Sequence, residues 1–533
     1  MTRLPWLMIS AWILASCAIE SSDPADTDDQ PTSEPEAAIA PAVLPTTVYN
    51  LTGRTVPAPA ATAQNIDTRL AMTFDGTPVL GTGTVQIFRQ SDDALVDTIK
   101  IGTETDAIGF PGQDRVRRVN VDRLLSVSGN ALRIVPHHAK LAYSTTYYVG
   151  INTGAVTGAA INGKAFNGIG KAGAWTFTTK AAPSASLTTL VVNDDGVADF
   201  RTVQGALDHV MKNVARDTAV TINVRNGTYE ELLFLRNKNN VHIVGESRTG
   251  VVIQYRNYDG LNPGTGGSQA PTATTSTGGR SVLLMETDDL VTLDTLTLRN
   301  TMLRSRTVGS QAETIYFNND AGRLIAKNAT FLSEQDTVLV KGYSWFFNSL
   351  IAGNVDFIWG GNHVALFESS EIRSVGDTIN AASGGFIVQA RTVSASDKGF
   401  VFLNSRLTHG PGPGPAAGNV PTGSSAATYL ARSPGNTTSF DNVAYINCQM
   451  DTHVIPRGWA YNTAGQPVSN PAVATAASGW REFGTKTIAG AAVNLGARIG
   501  GHQLTASEVG AGFSSRAQIF AAFGGGTGWD PQP

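Results

Sequence analysis

Residues 311–360 read QAETIYFNNDAGRLIAKNATFLSEQDTVLVKGYSWFFNSLIAGNVDFIWG. Three acidic residues of this stretch, Glu313, Asp336 and Asp356, fall 23 and 20 residues apart, each in a short strand-like run. Intervals of that size are one turn of a parallel β-solenoid, in which residues one coil apart stack at about 4.8 Å. The three carboxyl groups are therefore expected in one row. Like charges that close do not all stay ionised, so at least one group should hold its proton, the division that separates a nucleophile from an acid.

A repeat supports the solenoid. A small polar residue followed three positions later by an apolar one recurs at Thr295/Leu298, Asn328/Phe331, Asn348/Ile351, Ser369/Ile372, Asn404/Leu407 and Asn447/Met450. The core intervals are 20 and 21 residues; intervals of 33, 35 and 43 coincide with Gly-, Pro- and Ser-rich insertions, as loops extruded from a regular coil would. Taken alone, the repeat also fits a β-sandwich with polar turns.

Four motifs resemble, in order, those of the pectin methylesterases: GTYEE at 227–231, QDT at 335–337, DFIWG at 356–360 and YLAR at 429–432. The resemblance covers residues 187–533 and implies a right-handed parallel β-helix that removes methyl esters from homogalacturonan (pectin). It implies Asp356 as the nucleophile of an acyl-enzyme, Asp336 as general acid and then base, Gln335 as oxyanion donor and Arg432 as the group that orients Asp356. Hydrolysis of an ester needs a nucleophile, oxyanion donors and an acid for the leaving alcohol. No metal or cofactor is required. Gly227 and Tyr229 are read as packing residues.

Two departures from the family pattern stand out. Where the family carries its second amide donor, this chain has Glu313; an ionised carboxylate about 4 Å from an oxyanion costs on the order of 4 kcal/mol at an effective dielectric of 20. We expect Glu313 to be kept neutral by Asp336 and Asp356, or its place to be taken by Gln311 on the same strand face. The family's Trp two positions after the Arg is missing, since Pro434 follows Ser433. Trp359 and Trp459 are the candidates to receive the methyl group, and both are also readable as core aromatics. Tyr255 and Tyr258, ahead of a Gly- and Thr-rich loop at 259–279, are candidates for stacking on sugar rings or for ordinary packing.

Working outward, 533 residues at 41% hydrophobic allow at least two cores, and 56 Gly with only 15% charged residues suits turn-rich β structure. A net charge of −4 gives no basic footprint, which argues against nucleic acid. Residues 1–17 combine Arg3 with a short apolar run ending Leu14-Ala15-Ser16-Cys17. This resembles a lipoprotein signal, with Cys17 lipidated as a membrane anchor; an ordinary secretory signal is the alternative. Either predicts export. The other cysteine, Cys448, is expected as a small buried residue, with no disulfide.

Residues 18–44 are acidic and Pro-rich and read as a disordered tether. Residues 45–183 alternate with period two at 70–74, 85–87, 147–151 and 175–178, which argues an Ig-like β-sandwich. It is read as a spacer, with a carbohydrate-binding module as the alternative, and the adjacent His137 and His138 should point to opposite sides. A helix from Phe200 to Val214 should cap the solenoid, and Thr505 with Glu508 reads as a capping box. A monomer is expected. Three functions remain open: a pectin methylesterase, another acyl ester or thioester hydrolase on the same helix, and a non-catalytic surface polysaccharide-binding protein.

Overall fold

The computed structural model describes residues 43–268, 278–415, 417–460 and 468–533. Cys17, the signal-like segment and the tether up to residue 42 lie outside them, as does part of the 259–279 loop.

Two β architectures follow one another. The first is a sandwich of a four-stranded antiparallel sheet (Thr55–Val56, Leu70–Thr73, Ala131–Ile134, Leu125–Ser128) and a five-stranded mixed sheet (Ala61–Gln64, Thr176–Thr179, Thr146–Ile151, Thr84–Arg89, Leu95–Lys100). Alternation along these strands turns Leu70, Met72, Leu132 and Ile134 into one core with Ile87, Val149 and Phe177. His137 and His138 do diverge. His137 Nδ1 meets Asp97 at 2.8 Å within the sandwich, whereas His138 Nε2 reaches Asp208 across the domain junction at 2.5 Å.

The second is a parallel β-helix. Among the described residues it has three parallel sheets of eleven, nine and seven strands, each strand pairing with its equivalent one coil later. The polar residues of the repeat occupy one corner. Thr295, Asn328, Asn348, Ser369, Asn404 and Asn447 have φ of 54°, 52°, 47°, 50°, 52° and 52°. That left-handed conformation costs most side chains about 1–2 kcal/mol and is tolerated best by Asn, whose short amide bonds locally. Asn348 Nδ2 donates to Asn328 Oδ1 at 2.8 Å.

The residues just after this corner form a second ladder. Ser349, Ser370 and Ser405 each accept from the backbone N–H of the coil before and donate to one of its carbonyls. Cys448 extends the ladder, its thiol donating to Phe402 O at 3.4 Å. Burial pushes its pKa up to about 12, so it is an inert rung.

Inside the coil, Phe346, Phe367, Phe402 and Tyr445 stack at 4.5, 4.9 and 4.5 Å. Each such pair adds roughly 0.5–1.5 kcal/mol beyond its burial. Helix Val203–Asn213 closes the amino-terminal end. Thr202 caps it by accepting from Gly205 N, and Val203, Ala206, Leu207 and Val210 are buried. At the carboxyl end the Thr505/Glu508 capping box forms and starts helix Ala506–Gly512.

The sandwich is not a free spacer. The outward-facing row Phe234, Leu284, Tyr316, Leu339 and Trp359 of the seven-stranded sheet joins the sandwich's apolar cluster. The sandwich therefore packs on the face of the sheet that carries the acidic row.

Candidate active site

The seven-stranded sheet runs Leu233–Arg236, Leu283–Glu286, Ile315–Asn318, Val338–Val340, Val355–Gly360, Phe386–Ala390 and Tyr429–Arg432. Its register builds the row. Ile315 pairs with Val338 and Val338 with Ile358, offsets of 23 and 20, so Glu313, Asp336 and Asp356 fall opposite one another in successive coils. Asp336 and Asp356 both sit at positive φ, 60° and 49°. The DFIWG motif ends in Gly360 for a steric reason. At φ 136° a Cβ there would lie 2.1 Å from Val340 O.

Asp356 is held firmly. Arg432 Nε donates to its Oδ1 at 2.8 Å and to Oδ2 at 3.0 Å, and Arg432 Nη2 also donates to Oδ2. Gln389 Nε2 adds a bond to Oδ2 at 3.3 Å. Both partners come from the next strands of the same sheet, where Trp359, Gln389 and Arg432 stack in one row. A planar, permanently charged fork fixes both oxygens of the carboxylate.

Asp336 and Glu313 share one guanidinium. Arg280 Nε lies 3.0 and 3.1 Å from the two Glu313 oxygens, Nη1 is 3.0 Å from Asp259 and Nη2 is 3.4 Å from Asp336. Burial works against the Arg280 charge, but Glu313, Asp336 and Asp259 outweigh it and raise its pKa. Burial also raises the Glu313 carboxyl, with Arg280 pulling against it. Glu313 also meets a buried cation, Arg280, that the sequence reading missed. Three carboxyl groups around one positive charge still disfavour full ionisation of the group.

Gln335 is half-buried, and its Oε1 accepts from Arg304 Nε at 3.2 Å, which turns its amide N–H groups the other way. Arg304 is itself tied to Asp377 and, through its backbone, to Glu334. Gln311 lies two residues before Glu313, and its carbonyl accepts from Asp259 N.

Of the two tryptophans, Trp459 is 1% exposed and stacks on Trp480 inside the coil, at 5.3 Å and 6°. It is a core residue and lines no surface. Trp359 sits on the outer face, with the guanidinium carbons of Arg391 and Arg280 4.9 and 5.9 Å from its ring. Tyr255 is a half-buried junction residue whose hydroxyl donates to Asp122 O of the sandwich at 3.1 Å. Tyr258 packs under Arg256, 4.5 Å from the ring centre.

Arg280, Arg304 and Gln389 were not singled out from the sequence. Gln389 alone left a signal, as an outward-facing polar residue in the apolar strand FIVQA. Among the described residues no three His, Cys, Asp or Glu are grouped to hold a metal ion, and no helix is long and apolar enough to cross a membrane.

The pectinesterase family profile matches residues 189–470, and a bacterial Ig-like domain profile matches residues 45–179. The chain is 28% identical to pectinesterase 4 of Arabidopsis thaliana over 282 residues, 51% of this chain and 42% of the relative. It is 26% identical to pectinesterase A of Dickeya dadantii over 288 residues, 49% of this chain and 73% of the relative. The match thus spans less than half the length of the first of these relatives. Among solved structures, pectin methylesterase PemA from Erwinia chrysanthemi aligns with all of its chain and 65% of this one, at 24% identity and a TM-score of 0.49. A pectin methylesterase in complex with a hexasaccharide aligns at 24% identity and a TM-score of 0.48, over 66% of this chain and all of its own.

Proposed function

The chain belongs to the pectinesterase family, and we propose that it hydrolyses methyl esters of homogalacturonan, releasing methanol, with Asp356 as nucleophile and Asp336 as acid and base. The observation that carries the assignment is the unequal treatment of two aspartates one coil apart. Both oxygens of Asp356 are held by the Arg432 guanidinium. Asp336 draws, at 3.4 Å, on a guanidinium that also holds two other carboxyl groups.

In the first half-reaction an Asp356 oxygen attacks the ester carbonyl, and the tetrahedral oxyanion accepts from the Gln335 amide. Collapse breaks the carbon–methoxy bond, and the Asp336 proton passes to the leaving oxygen as methanol. In the second, the Asp336 carboxylate takes a proton from water, the hydroxide attacks the acyl-enzyme carbonyl, and Asp356 leaves as carboxylate. Asp336 regains its proton, and the product is the free uronate. Glu313 remains on Arg280 and does not face the oxyanion as a bare charge. Of the residues named for the methyl group, Trp359 is the one on the outer face, and we assign the role to it.

One observation favours a second reading. Pro434 stands where the family carries its tryptophan, which fits an acyl ester or thioester substrate with a larger leaving group. Methanol release from highly methylated homogalacturonan by the full chain, with Asp356→Ala as control, tests the main reading. Absence of methanol from folded protein that still cleaves simpler esters would favour the second. We further propose that the enzyme works outside the cytoplasm as a monomer, carried on a lipid at Cys17 or secreted; radiolabelled palmitate on the wild type and not on Cys17→Ser tests the anchor.

A further inference from the structure

We propose that Arg117, in the amino-terminal sandwich, is a positioning residue for the esterase site: it fixes the backbone that aims Arg280 at Asp336 and Glu313. The inference rests on the catalytic reading above.

Arg117 opens strand Arg117–Asp122 and is fully buried. A guanidinium has five N–H donors, and here all five end on backbone carbonyls of the β-helix. Nε donates to Gly278 O at 3.3 Å, Nη1 to Leu233 O at 2.7 Å and Val282 O at 3.1 Å, and Nη2 to Gly279 O at 3.0 Å and Ser281 O at 2.5 Å. Four of the five successive carbonyls at 278–282 thus converge on one side chain. The fifth, Arg280 O, accepts from Asn300 at 3.4 Å. Carbonyls of 278, 279, 281 and 282 curl around the sandwich residue, and the Arg280 side chain is sent to the carboxylate row.

The curl has no slack. Gly279 has φ 89°, and a Cβ there would lie 2.0 Å from Thr265 O. From the β-helix side, Asn257 Nδ2 donates to Gly279 O and Ser281 O at 3.0 and 2.9 Å. The same sandwich strand also grips the loop that supplies Asp259, the third carboxylate on Arg280. Asn120 N donates to Asn262 Oδ1 at 2.7 Å, and Asn262 Nδ2 donates back to Asn120 O at 2.9 Å. Burial pushes the Arg117 pKa down to about 9, against Glu286 and Glu313, so it stays charged at neutral pH. Loss of Arg117 leaves four carbonyls beside the site without their shared donor and lets Arg280 shift against Asp336.

The test compares Arg117→Ala and Arg117→Lys with Asp114→Asn, which removes a different junction contact, the 3.2 Å pair with Arg236. Misplacing a catalytic group by about 1 Å costs on the order of 100-fold. We therefore expect Arg117→Ala to lower kcat by about 10- to 100-fold with KM within about twofold, and to move the pH profile. Lysine, with three donors, should recover part of the loss, and Asp114→Asn should keep kcat and the profile. Wild-type kcat and pH profile in folded Arg117→Ala would overturn the proposal. So would an equal kcat loss in Asp114→Asn. If the alanine variant does not fold, the lysine variant decides: a severalfold lower kcat supports the proposal, and wild-type kcat overturns it. A wild-type chain that releases no methanol sinks the esterase reading instead. The positioning claim is then judged by amide hydrogen exchange at 280–283, where faster exchange in Arg117→Lys than in Asp114→Asn supports it and equal rates overturn it.

Discussion

Asp336 and Asp356 occupy equivalent positions in adjacent coils, with the same left-handed backbone, yet their surroundings differ. Towards the carboxyl end, Asp356 meets Arg432 and Gln389, both delivered by strands in register with its own. Towards the amino end, Asp336 shares Arg280 with Glu313 and Asp259, and Arg280 is delivered by a curled segment gripped by another domain. A repeating scaffold makes the two positions equivalent, and their guanidinium partners break the symmetry: Arg432 grips both oxygens of Asp356, whereas Arg280 is shared by Asp336, Glu313 and Asp259. Three carboxyl groups crowded on one cation disfavour ionisation of them all.

The largest loss is expected at Asp356, the proposed nucleophile. Asp356→Ala should lower methanol release by about 10^4-fold or more with the fold intact, as measured by turnover and far-UV circular dichroism. Asp336→Asn keeps the shape but cannot cycle a proton, and about a 10^3-fold fall in kcat is expected. A fall below tenfold would remove the acid–base role. Arg432→Lys replaces the fork by a point charge and should cost roughly 10- to 100-fold, mostly in kcat.

Glu313→Gln sharpens the comparison from the other side. It removes one carboxylate from Arg280, so the cation pulls harder on Asp336 and its proton is lost more easily. The alkaline limb of the kcat profile should move to lower pH by about one unit, with the peak rate changed by less than about tenfold. An unmoved profile would mean that Arg280 does not couple the two groups.

The smallest effect on turnover belongs to the junction. Burial alone would lower the His138 pKa, but Asp208, Asp106 and Glu231 raise it to about 9. Because the folded value lies above the unfolded 6.5, this contribution, about 3 kcal/mol at most, is fully present below pH 6.5 and is lost as pH rises through 9. Thermal unfolding between pH 6 and 9.5 should show the decline in the wild type and a flatter curve in His138→Gln, and at a given pH the variant should keep the wild-type kcat.

The solenoid and the acidic row were legible in the sequence through their period together with the motif resemblance. Offsets of 23 and 20 residues become a row by stacking alone, and the corner residues from Thr295 to Asn447 announce themselves as the side chains that accept a left-handed backbone. The strands of the sandwich were readable for the same reason, through period-two alternation.

Only the tertiary structure decided which partners complete the row. Arg280 is 33 residues from Glu313 and 56 from Asp336, and Arg432 is 76 from Asp356. The motif resemblance pointed to Arg432, but nothing periodic pointed to Arg280 or Arg304, which come from segments between the strands, where insertions reset the count. Trp359 and Trp459 were both candidates in the sequence, and packing put one on the outer face and the other in the core against Trp480. Arg117 lies further still, in a different domain, and binds carbonyl groups that every residue possesses. A backbone acceptor carries no signature in the amino-acid code, so this contact exists only once both domains have folded and met.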